Sequence, residues 1–187
     1  VLSAPLSRRT LLAASLLTAW LAASTIGNHP DHLAYANEFI GGTKNGSAWL
    51  ADSDQDWGQD LGTLARWMKA KSIPAVLLGY AGAGDPRAYG IRYQDVISPA
   101  LVTAVYRGEI LREWPMGRVL VLSAKVLQTE PGWVGWLAAN RRPKERLGGT
   151  LFIYDLTGDP EAIAWLQEIY RLSRRPALAE SLPSSVR

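Results

Sequence analysis

The chain has 187 residues, enough for one domain with its own core, and 48 % of them are apolar against 20 % charged, an ordinary globular balance. The formal net charge is +3, with basic residues scattered or placed near helix ends and in the C-terminal tail; no basic stripe interleaves with aromatics, which argues against nucleic-acid binding. The absence of cysteine excludes disulfides, thiol nucleophiles and thiolate metal sites, while eight tryptophans is a high count for a residue that serves small cores, sugar faces and membrane interfaces alike.

In chain order, the first element is an apolar helix. Arg8 and Arg9 precede a run from Thr10 through Asn28 that carries no Asp, Glu, Lys or Arg, and its apolar residues run all round rather than down one face. Its length reaches the lower range for a membrane span and exceeds the usual apolar region of a signal peptide. Residues 1–27 therefore read as a transmembrane helix, the last span of a larger protein. The alternative is a twin-arginine export signal, "SRRTLL", ahead of a stand-alone exported domain. On either reading the arginine pair stays cytoplasmic and the rest of the chain lies on the extracytoplasmic side of the cell membrane.

Residues 28–46, "NHPDHLAYANEFIGGTKNG", form a connector rich in turn residues. Residues 47–176 then alternate strand and helix signals. Strands are expected near 48–52, 75–81, 118–124 and 150–156, and helices near 57–71 and 160–174. Leu61, Leu64, Ala65 and Met68 supply helical spacing in the first helix. Asp159, Pro160 and the arginines before Pro176 mark the start and stop of the last one. "PGWVGWLAANRRP" reads as a short helix, and the stretch around Pro99 is ambiguous. Residues 177–187 read as a disordered tail. Unalternating apolar strands separated by helices predict an α/β domain: a small, mostly parallel sheet with helices on both faces, preceded by the transmembrane-type helix. In such sheets ligands sit beyond the carboxyl ends of the strands, where Asp52, Tyr80, Lys125 and Asp155 are expected.

"WLADSDQDWGQDL" holds four aspartates in nine residues. Asp56 with Gln59 three residues later has capping-box spacing, and Asp60 in the first turn favours the helix dipole. A calcium loop needs glycine where Trp57 stands and a bidentate glutamate where Thr63 stands, so no metal site is expected there. No cofactor is expected either. "GYAGAG" is followed by Asp85-Pro86 rather than by a helix with a basic residue, unlike a phosphate loop. No catalytic residue stands out. Two accounts of the remaining polar groups stay open. Asp52, Trp57, Tyr80, Asp85 and Tyr89 form a sugar-binding pocket of carboxylate acceptors and aromatic faces, or the aspartates hold turns through nearby amides.

Taken together, "HLAYANEFIGGTKNG", "DSDQDWGQDL", "LLGYAGAGDPRAYGI", "VLSAKVLQ" and "GGTLFIYDLT" resemble the C-terminal region of bacterial multi-spanning glycosyltransferases of the family 39 type, related to protein O-mannosyltransferases. The resemblance covers roughly residues 9–157. Ala36, Asp54 and Ala81 depart from it, standing where that family usually has an aromatic, Asn and Phe. It implies a membrane enzyme using polyprenyl-phosphate sugars, with this region an accessory domain that binds sugar or acceptor. The family's catalytic acid belongs to an early loop between its first spans, so none is expected here.

Overall fold

The structure, a computed structural model, describes residues 7–46, 56–82, 84–96 and 118–172. The strand expected near 48–52, Asp52 itself, the stretch around Pro99 and the tail lie outside the described residues.

Helix α1 runs Arg8–Gly27, started by Ser7, whose hydroxyl accepts the amide of Thr10 at 3.2 Å. None of its residues is buried, and it is long and apolar enough to cross a membrane. The connector that follows has two 3₁₀ turns, His32–Ala34 and Glu38–Ile40, and the single-turn helix α2, Thr43–Gly46.

The domain beyond it is α/β. Helix α3 spans Leu61–Ala70, and the strands are β1 (Val76–Gly79), β2 (Tyr93–Asp95), β3 (Val119–Ser123), β4 (Glu145–Leu147) and β5 (Leu151–Asp155). Helices α4 (Ala124–Thr129) and α5 (Pro131–Asn140) follow β3, and α6 (Pro160–Leu172) follows β5. The five strands form one sheet in the order β2-β1-β3-β5-β4. Strand β1 is parallel to both β2 and β3, whereas β5 is antiparallel to both β3 and β4. The expected mostly parallel sheet is thus corrected to a mixed one. Part of the reason is local: only Gly148, Gly149 and Thr150 separate β4 from β5, a link that suits a hairpin and is far too short for a parallel crossover, so these two strands cannot both run with β1 and β3. The reversal also moves Asp155. It ends its strand, but it pairs with Val119 at the start of β3, at the edge opposite Tyr80 and Lys125.

Helices cover both faces. On one, Leu77, Leu120, Leu122 and Phe152 pack under Val126, Val134, Leu137 and the α6 residues Ile163, Leu166 and Tyr170. On the other, Val76, Leu78, Val121 and Ile153 pack under Leu61, Leu64 and Met68 of α3. The uninterrupted apolar runs of β1 and β3 follow from this double coverage. Most of the described tryptophans are packing groups: Trp67 donates to Glu145 at 2.7 Å, Trp136 and Trp165 stack at 6.1 Å, and Trp165 donates to the carbonyl of Trp133. Trp57 is 59 % exposed.

The start of α6 is tied down by Asp159, which accepts the Ala162 amide at 3.0 Å and both Nε and Nη2 of Arg141 at 2.6 and 3.0 Å. Asp159→Ala removes a helix cap and a bidentate ion pair together, so a loss of about 1–2 kcal/mol is expected. An unchanged urea midpoint in the variant would count against this role.

Candidate functional site

Strands β1 and β3 are adjacent and parallel, while the chain from β1 goes first to β2 on the other side. Their carboxyl ends therefore bound a switch point, the edge at which α/β sheets commonly place their ligands. The two ends are bridged there: the amide of Ala81, just past β1, donates to the hydroxyl of Ser123 at 3.4 Å, and the same oxygen accepts Val126 N to start α4.

Asp56 reaches this edge from the segment before α3. Its side chain is 4 % exposed. One carboxylate oxygen accepts the Gly58 amide at 3.1 Å; the other, Oδ2, is buried without a hydrogen-bond partner among the described residues. Burial pushes its pKa from 3.8 up to about 6, and the neighbouring charge of Asp60 adds to the rise. The Gly58 amide, the Ser123 hydroxyl and the Lys125 charge pull the other way without cancelling it.

Asp60 lies 3 % exposed beside it. Its Oδ2 accepts both the amide and the hydroxyl of the fully buried Thr150, at 3.0 and 2.7 Å. Burial again raises its pKa, against the pull of those two bonds. The Thr150 carbonyl in turn accepts Ala124 N at 2.7 Å, so the β4–β5 turn is clamped between α3 and α4. The turn needs glycine at 148: its φ is +55°, and a Cβ there would stand 2.1 Å from Asp60 Oδ1.

The helix-start roles expected of Asp56, Gln59 and Asp60 take a different form. Helix α3 begins at Leu61, and Asp60 holds the cap position without a side-chain cap bond. Asp56 bonds Gly58, and Gln59 accepts the Trp57 amide at 2.9 Å. The two buried carboxylates face inward because the segment 56–60 folds into turns over the sheet's carboxyl edge rather than starting the helix at Trp57.

Of the residues expected to form a pocket, Tyr80 is 8 % exposed and turned onto its own loop, its hydroxyl accepting Gly84 N at 3.2 Å. Gly58, at φ +88°, is pressed against the same hydroxyl, and a Cβ there would come within 2.5 Å of it. Asp85 caps the 3₁₀ turn Pro86–Tyr89 through Arg87 N at 2.9 Å and pairs with the Arg87 guanidinium, which holds its pKa down. Tyr89 points away, beside Gly62, into a shallow cavity of about 420 Å³ that Met68, Ile73 and Arg92 help to line. Trp57 and Tyr89 are both exposed, but at separate places. No group of three His, Asp or Glu gathers to hold a metal among the described residues, and His29 and His32 only pair with each other at 3.3 Å in the connector.

At this edge Asp56 is thus a buried hydrogen-bond acceptor, close enough to Lys125 to feel its positive charge. Composition and periodicity point to neither Ser123 nor Thr150. The signal that could have found this edge is glycine placement, in "DWGQD", "GAG" and "GGT", where the backbone must come close to another group. Searches of protein-family models, curated proteins and solved structures gave no match to the chain.

Proposed function

We propose that this chain is the membrane-anchored, extracytoplasmic accessory domain of a glycosyltransferase that uses lipid-linked sugars, and that the sheet edge at Asp56 receives a hydroxyl of the sugar or the acceptor. One observation carries the reading. The sequence blocks that resemble family 39 enzymes lie far apart in the chain yet meet at one edge of the sheet. Asp60 of "DWGQDL" bonds Thr150 of "GGT"; Asp56 feels Ser123 and Lys125 of "VLSAK"; Gly58 packs on Tyr80 of "GYAGAG". The same blocks also fill the core on both faces of the sheet, but their polar and glycine residues gather at this edge. An unpartnered buried acceptor with an exposed indole beside it in sequence suits a sugar, which offers hydroxyl donors and an apolar ring face. Arg8 and Arg9 at the start of α1 favour a cytoplasmic N-terminal end and hence an extracytoplasmic domain.

The test is a titration of the chain in lipid nanodiscs with a polyprenyl-phosphate hexose, followed by tryptophan fluorescence. Saturable quenching is expected, lost in Trp57→Ala and weakened about tenfold in Asp56→Asn, the equivalent of one hydrogen bond of about 1.4 kcal/mol. Sugar-free polyprenyl phosphate should not reproduce it. A flat titration up to about 1 mM, where even a site worth only about −4 kcal/mol is half filled, would sink the reading.

A further inference from the structure

The connector between α1 and the domain carries apolar side chains that are left exposed among the described residues. Beyond α1, seven large apolar residues are exposed among the described residues, and three of them, Leu33, Tyr35 and Phe39, fall within residues 32–40. Phe39 is 85 % exposed and Leu33 64 %. The connector nevertheless has a fixed place. It folds back along α1: the ring of Phe39 meets that of Trp20 at 5.8 Å, and the Ser24 hydroxyl bonds both the Tyr35 hydroxyl and the Glu38 carboxylate. It is also closed on itself, Thr43 donating to Asn28, and held to the domain at Gly149, on which the buried Ala34 and the methyl of Thr43 pack so closely that a Cβ there would clash with Ala34.

We propose that residues 32–40 are seated in the headgroup region of the bilayer that α1 crosses, with Leu33, Tyr35 and Phe39 facing lipid. Continuity with the span decides the occupant. Trp20 lies about 10 Å along the axis from the end of α1, given 1.5 Å of rise per residue. A ring packed against it sits as deep as the apolar face of an interfacial helix, about 5–10 Å below the headgroup boundary. Tyrosine and phenylalanine beside an indole are the side chains of membrane–water interfaces, and the Ser24 and Tyr35 hydroxyls satisfy the one carboxylate, Glu38, carried down with them. The seating has a consequence for the domain. Gly149 adjoins Thr150 and hence Asp60, so the carboxyl edge of the sheet is held next to the membrane surface, within reach of a ligand presented by lipid. That this edge receives a sugar rests on the reading above; the seating itself rests only on α1 being a span.

The natural absence of cysteine permits single-site labelling. An environment-sensitive fluorophore is placed at Phe39→Cys, at Leu33→Cys and, as a control on exposed α6, at Glu168→Cys, in vesicles of phosphatidylcholine and phosphatidylglycerol. The two connector labels should show blue-shifted emission, strong quenching by headgroup nitroxide lipid and little by aqueous iodide, with the reverse at 168. Unchanged circular dichroism of Leu33→Cys guards against a folding artefact at 39. Iodide quenching at 33 and 39 equal to that at 168 overturns the proposal. So does protection from both quenchers, which would mean that a second copy of the chain, not lipid, covers the connector. Either failure leaves the sugar titration unaffected, so the two readings fail separately.

Discussion

Asp60→Ala is expected to destabilise the domain by about 3–5 kcal/mol, a large share of the 5–15 kcal/mol typical of folded domains. The substitution strands two donors at once. Thr150 is fully buried, and both its amide and its hydroxyl end on Asp60 Oδ2. Each buried donor left without a partner costs about 1–3 kcal/mol, and the void left against Gly148 adds to this. Relief of the buried charge works in the opposite direction, since burial already raises the Asp60 pKa, but it does not restore a partner to either donor. Asp60→Asn keeps an acceptor oxygen in place and should lose roughly half as much or less. Urea unfolding of the three proteins checks the order. An Asp60→Ala midpoint equal to that of the parent would show that the β4–β5 turn is not held by this carboxylate.

Asp56→Asn is expected to change stability in the other direction, raising it by about 1–3 kcal/mol at pH 7.5, because each unit of pKa displacement corresponds to about 1.4 kcal/mol. The carboxyl has a folded pKa of about 6 against an ordinary 3.8. Between those values the folded state holds a proton that the unfolded state has released. Stability from this group is therefore fully present below about pH 4 and is lost as pH rises through about 6, with no further change above. The asparagine variant lacks that decline. Carboxylates with lowered pKa, Asp85, Asp155 and Asp159, act oppositely and lose their contribution only below the ordinary carboxylate range. Subtracting the variant's stability-against-pH curve from the parent's isolates Asp56. A difference that stays constant between pH 4 and 7 would mean that the group is not desolvated as the structure has it. A parent less stable than its asparagine variant carries a charged side chain at a cost, as expected where that charge serves a ligand.

Helix α1 is determined by the sequence alone, because the run from Thr10 to Asn28 offers no charge and no single polar face, and such a helix has no partner surface in a small domain. Strands β1, β3 and β5 are equally legible, since unbroken apolar runs of four to five residues can only be covered on both sides. Helix α6 is announced by Asp159-Pro160 and by Arg171 in its last turn. Strands β2 and β4 escape such reading: "YQD" and "ERL" are three residues each and acquire strand geometry only by pairing with β1 and β5. Sheet direction escapes it too, because an apolar strand reads the same in either sense, and the tight Gly148–Thr150 link reverses β5 relative to β4. The aspartates show the limit most clearly. Spacing places Asp56, Gln59 and Asp60 at a helix start, which local hydrogen bonding alone would favour. Only tertiary structure could bury Asp56 and Asp60, since the groups that surround them, Ser123 at the end of β3, Lys125 in α4 and Thr150 in the β4–β5 turn, lie more than sixty residues away. Burial, not sequence proximity, is what raises a carboxylate's pKa and leaves an acceptor without a partner.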